Sequence, residues 1–141
     1  MEVAGLVIAV TLLLVALAFG VSREAHAGRS AGRVGRVSTA SDALLTRLGV
    51  RPGTVTLLQF SSAFCAPCRA VRVICTEVAR TSPHVTHVEI DAESHLTAVR
   101  ALGIQRTPTV LIVAPDGKIV DRVHGVPKLR YIRDTVGVLH A

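Results

Sequence analysis

The segment Cys65-Ala66-Pro67-Cys68 constrains this chain more than any other feature. It follows an extended apolar run, Val55-Thr56-Leu57-Leu58-Gln59-Phe60, and opens a helical pattern. Two cysteines at this spacing form either half of a tetrahedral zinc site or a thiol–disulfide pair. Structural zinc needs a second pair, or histidines at comparable spacing. The only other cysteine is Cys75, and the six histidines are scattered without a His-x-x-x-His arrangement. Redox chemistry is therefore expected, with no metal and no organic cofactor. With Cys65 just before a helix and Cys68 one turn inside it, the first thiol lies over free N–H groups at the positive end of the helix dipole, which favours its thiolate. Cys65 is then the expected nucleophile, and Cys68 the thiol that resolves the mixed disulfide. Pro67 suits a first turn, where its missing N–H costs nothing.

Cys75 falls seven residues beyond Cys68. On one helix that is roughly 10 Å along the axis, too far for an unstrained bridge. It reads as a small buried apolar residue.

The stretch Phe60-Ser61-Ser62-Ala63-Phe64-Cys65-Ala66-Pro67-Cys68-Arg69 resembles the active-site segment of the thioredoxin superfamily, usually Phe-Trp-Ala-x-Trp-Cys-Gly-Pro-Cys-Lys. The likeness extends from about Ser41 to the C-terminus. Val88-Glu89-Ile90-Asp91 resembles the strand after the active-site helix, and Gly103-Ile104-Gln105-Arg106-Thr107-Pro108-Thr109 resembles the segment with the family's cis-proline. Pro115-Asp116-Gly117-Lys118 fits the turn between the last two strands. The resemblance implies a cis bond between Thr107 and Pro108, with Pro108 facing the cysteines and Thr107 pairing with an extended substrate segment. It implies disulfide-containing proteins as substrates and an unidentified electron donor. It also exposes departures. Gln59 stands where many thioredoxins carry a buried aspartate, and His87 where they carry its lysine neighbour. A glutamine hydrogen-bonds but takes no proton at neutral pH, so a base for Cys68 must be water, His87 or another group. Phe64 replaces a tryptophan as apolar collar, and Val73 replaces the proline that kinks the helix, so a straighter helix is expected.

Residues 3–21 carry no charge and are long enough to span a bilayer as one helix. A signal peptide is the competitor, since Ala25-His26-Ala27 resembles a cleavage site; the acidic Met1-Glu2 start and the length of the run favour an anchor. Arg23, Arg29, Arg33 and Arg36 follow the run and no basic residue precedes it, so the positive-inside rule places the following domain on the cytoplasmic side. Residues 22–40 read as a flexible basic linker whose arginines suit contact with lipid head groups. The net charge of +6 is modest and the arginines are spread without aromatic interleaving, which points to solubility and membrane proximity rather than nucleic-acid binding.

The remaining 41–141 suffice for one core, built from aliphatic residues because aromatics are only 3%. Ser41-Asp42 are expected to cap a helix through Leu48, and the helix after Cys68 to bury Ala70, Val73, Ile74 and Val78. Ser94 is expected to cap a helix through Leu102; residues 85–90, 110–113 and 119–123 read as strands, and 129–139 as a final helix. The expected fold is an α/β thioredoxin-like three-layer sandwich with a mixed sheet, preceded by one transmembrane helix. The expected function is a membrane-anchored thiol:disulfide oxidoreductase reducing protein disulfides through Cys65 and Cys68. The alternatives are an extracytoplasmic reductase serving cytochrome c or similar assembly, and a non-catalytic redox-responsive membrane adaptor.

Overall fold

The computed structural model describes residues 34–139, with side chains placed from residue 41 onward. The apolar segment 3–21, its orientation and the linker up to residue 33 lie outside the described residues. Among the described residues no helix is long and apolar enough to cross a membrane.

The order of elements is α1 (Val34–Arg47), β1 (Val55–Ser61), α2 (Ala66–Thr81), β2 (Val85–Asp91), α3 (Leu96–Ala101), β3 (Thr109–Val113), β4 (Ile119–His124) and α4 (Leu129–Val138). The strands lie in the order β2-β1-β3-β4. β1 and β2 are parallel, joined through α2, whereas β1–β3 and β3–β4 are antiparallel. The mixed sheet matches the expectation.

Strand alternation divides the core into two. Leu58, Phe60, Leu111 and Val113 point to one face and pack with Leu45 of α1, with Leu48 just past its end, and with Ala98 of α3. Val55, Leu57, Val110 and Ile112 point to the other and meet Val71, Cys75 and Val78 of α2 and Ile132 and Val136 of α4. Helices on both faces make three layers. β1 and β3 are buried along their whole length because a central strand is covered on both sides. Each fully buried Leu or Ile contributes roughly 1.5–3 kcal/mol, set against the entropy of ordering the chain.

Local signals acted unevenly. Helix α1 starts at Val34, ahead of the expected Ser41-Asp42 cap, so part of the segment read as linker is helical. On α2 the buried stripe is Cys68, Val71, Cys75 and Val78, while Val73 is 69% exposed and Ala70 is also exposed. Val78 is buried and Ile74 packs partly buried against the core, as expected, whereas Ala70 and Val73 face away from it. Ser94 does not cap α3: its hydroxyl donates to Asp91, and His95 holds the N-cap position without a side-chain hydrogen bond. The β3–β4 turn forms as expected, with Gly117 at φ 85° and Asp116 accepting from the Lys118 backbone N–H at 3.1 Å. Cys75 is fully buried and free, as expected.

Candidate active site

Cys65 ends the turn after β1 and serves as N-cap of α2. Its sulfur accepts a hydrogen bond from the backbone N–H of Cys68 at 3.2 Å, so it sits over the free donors of the first turn. The two cysteines are joined as a disulfide, with Cα atoms 5.2 Å apart. Cys65 is partly exposed and Cys68 is only 2% exposed. Pro67 occupies the first turn, where no intrahelical donor is needed. Phe64, expected to form an apolar collar, is fully exposed and touches no core.

The Thr107–Pro108 bond is cis, as the resemblance implied. Antiparallel pairing of Phe60 with Thr109 brings this segment beside the end of β1. There the Thr107 and Ser62 hydroxyls are 3.0 Å apart. Behind them, Thr109 donates to the Arg106 carbonyl at 2.7 Å, and the Gly125 N–H donates to the Pro108 carbonyl at 3.0 Å. The loop is thus braced from β4.

Gln59 lies beneath Cys68, fully buried. Its amide nitrogen donates to the Cys68 carbonyl at 3.0 Å and to the Ser61 hydroxyl oxygen at 2.8 Å, while its oxygen accepts from Nε2 of His87 at 3.0 Å. Every polar atom of the side chain is therefore satisfied. Ser61 donates its hydroxyl hydrogen bond to Glu89 at 2.7 Å, and Glu89 accepts from Nε and Nη2 of Arg72 at 2.5 and 2.8 Å. The Arg72 guanidinium, helped by the Ser61 hydroxyl, holds the Glu89 carboxyl below its ordinary range. Burial holds His87 below the usual imidazole value against the pull of the Glu89 charge. Burial, reinforced by Glu89, pushes the Cys75 thiol up to about 12, which keeps it protonated and unreactive.

An open cleft of about 410 Å³ adjoins this network, lined by Ser61, Ser62, Ala63, Arg72, Glu89 and Asp91. Ser61, Glu89 and Arg72 had no place among the expected site residues. The usable signals were the parallel register, which sets Glu89 beside Gln59, and the spacing of Arg72 four residues after Cys68. Among the described residues no cluster of His, Cys, Asp or Glu is arranged to hold a metal ion.

A family model for thioredoxin matches residues 48–137, which reaches from before β1 into the last turn of α4 and takes in the whole of this site. The chain belongs to the thioredoxin family. Thioredoxin H-type 1 of Nicotiana tabacum is 31% identical over 80 residues, covering 57% of this chain and 63% of that protein. A thioredoxin H-type of Ricinus communis is 29% identical over 72 residues, covering 51% and 60%. The chain thus spans less than two thirds of the length of these relatives. Thioredoxin of Fasciola hepatica superposes with a TM-score of 0.57 at 24% identity, over 69% of this chain and 88% of that one. A mutant thioredoxin of Halobacterium salinarum does so at 0.59 and 21%, over 63% and 77%. These likenesses concern the fold. Against the thioredoxin pattern, the departures at Gln59 and His87 form one connected hydrogen-bonded pair.

Proposed function

We propose that this chain is a thiol:disulfide oxidoreductase that reduces protein disulfides through Cys65 and Cys68. The observation that carries the reading is the partly exposed Cys65, its sulfur over the free N–H groups of α2, with Cys68 buried one turn behind it. In the reduced protein the Cys65 thiolate attacks a substrate disulfide, forming one S–S bond and releasing one substrate thiolate. Cys68 then gives up its proton and attacks the Cys65 sulfur. The mixed disulfide breaks, the second substrate thiolate leaves, and the pair ends oxidised by two electrons. A separate dithiol donor must return those electrons.

Thr107 and Pro108 form the substrate-facing edge in this reading, with Phe64 as an exposed apolar contact. The uncharged segment 3–21 supports a single-pass membrane tether, and the arginines after it support a domain on the cytoplasmic side. Protease protection of sealed vesicles tests that side.

Insulin reduction by the full chain, with and without Cys65→Ser and Cys68→Ser, tests the catalytic reading. Turnover in the native chain and its loss in both variants is the expected result. A second reading, a redox-responsive adaptor without turnover, draws on the absence of a titrating carboxyl at Gln59. It requires an inactive native chain in the same assay.

A further inference from the structure

We propose that Glu89 and Arg72 are positioning residues for Cys68, acting through a closed ring of hydrogen bonds that pins the first two turns of α2 to the sheet. The inference rests on the thiol–disulfide reading above. The ring leaves α2 at the Cys68 carbonyl, crosses to Gln59 on β1, steps to Ser61, crosses to Glu89 on β2, and returns to α2 at Arg72. Cys68 and Arg72 are one helical turn apart, so both ends of the ring hold the same turn.

The direction of each bond is dictated by its neighbours. The Cys68 carbonyl only accepts, so Gln59 must turn its amide nitrogen toward it. Gln59 spends its second N–H on Ser61, which must therefore receive it with a lone pair. Ser61 has one O–H to donate, and Glu89 accepts it. Glu89 ionised and paired with Arg72 is an acceptor only, so it holds Ser61 in that orientation. Removing the carboxylate frees the Ser61 hydroxyl to turn, and the buried Gln59 amide loses a fixed partner on the side opposite Cys68. Gln59 is 0% exposed and does not line the adjoining cleft, so water does not readily reach its amide when Ser61 turns away.

The two cysteines stand differently toward this ring. Cys65 lies ahead of the helix and is no part of it. Cys68 is anchored by it. The ring therefore bears on the resolving step, in which the Cys68 sulfur must approach the Cys65 sulfur in line with the bond that breaks. Small misplacements of reacting groups cost large factors in rate. First attack by Cys65 depends on it less, because Cys65 makes no bond in the ring and meets it only through the Cys68 N–H.

The test is single-turnover reaction of the reduced full chain with 5,5′-dithiobis(2-nitrobenzoic acid), which separates the steps. Attack by Cys65 releases one coloured thiolate; resolution by Cys68, which loses its proton to solvent, releases the second and leaves the Cys65–Cys68 disulfide. Glu89→Ala and Arg72→Ala should slow the second release on the order of tenfold while the first stays within about twofold. The double variant should be no slower than either single one, because each breaks the same ring. Glu89→Gln, which keeps an acceptor for Ser61 but loses the ionic pair, should fall between. Added salt should slow resolution in the native chain, because the Arg72 side chain is 54% exposed, and leave Glu89→Ala unaffected. Equal slowing of both releases, or an unchanged second release in a folded variant, overturns the proposal. Should Glu89→Ala not fold, Glu89→Gln and the salt series decide. A native chain that gives no first release instead overturns the thiol–disulfide reading itself.

Discussion

Nε2 of His87 lies 3.0 Å from Oε1 of Gln59, so an imidazole on β2 donates to an amide on the neighbouring strand. The contact sets the tautomer: Nε2 carries the proton, and Nδ1 is left to accept from the Thr76 hydroxyl at 3.3 Å. The pair is complete with both side chains neutral, which suits a site where Gln59 is fully buried. It is also chemically quiet, since an amide carbonyl does not hold a proton near neutral pH.

Changing Cys68 to serine should trap mixed disulfides through Cys65, because first attack remains and resolution is lost. Mass spectrometry of adducts formed with a disulfide-bonded protein measures this. Trapping by Cys65→Ser in place of Cys68→Ser would reverse the two roles.

Gln59→Asp should speed the release of mixed disulfide near neutral pH and lower the melting temperature. A carboxylate under Cys68 offers a proton acceptor, and general-base help is worth about a hundredfold when geometry is right. The same carboxylate is buried with no lysine beside it, which raises its pKa and costs stability. Stopped-flow release and thermal unfolding measure the two together. An unchanged release rate in a folded variant means that proton removal does not limit resolution.

Stability should fall in two stages as the pH drops from 7 to 3. Burial lowers the folded pKa of His87, so its neutral form is favoured and stability is full above the unfolded value of about 6.5, declining as pH falls through the folded value. Arg72 and Ser61 lower that of Glu89, whose contribution is present above about 4.3 and is lost at more acid pH, together with those of Asp91 and Asp116. Melting temperatures across this range, for the native chain and for His87→Gln, measure the stages. The variant should lose the first stage and keep the second; identical slopes between pH 7 and 5 would remove His87 from the account.

Cys75 should resist alkylation in the folded protein and react once it is unfolded, because its thiol is fully buried and pushed up to about 12. Reaction of the reduced protein with 5,5′-dithiobis(2-nitrobenzoic acid) should release two coloured thiolates in buffer, one on attack by Cys65 and one when the buried Cys68 resolves the adduct, and three in denaturant. Cys75→Ala should cost about 1 kcal/mol, the scale for deleting one packed atom group from a core. Rapid native labelling of Cys75 would show that α2 opens locally.

The central strands and the cysteine pair were legible because their signals are local. Apolar runs report burial, and two thiols three apart before a helix report chemistry. The buried stripe of α2 was not, since the exposed Val73 carries the same apolar signal as the buried Val71. Exposure there depends on which way the helix rolls against β1. The ring through Ser61, Glu89 and Arg72 escaped for a different reason. Each of these residues, read alone, is an ordinary polar residue, and only the register between β1 and β2 brings them together. His87 and Gln59 were singled out because they depart from a family pattern, yet their contact is a property of the sheet.

Among the described residues the sheet ends at β2 on one side. The Val55 N–H reaches the His84 carbonyl and the Ala92 N–H reaches the Ser61 carbonyl, so even-numbered residues of this strand turn their peptide groups toward β1. The peptide groups of His87 and Glu89 therefore face away from β1, at the margin of the sheet that the described residues form. The side chains of these same two residues hold Gln59 and Arg72. Backbone traffic at the margin and side-chain order under Cys68 thus run through one pair of residues. An added strand pairing there would meet the protein at the outer wall of its redox site.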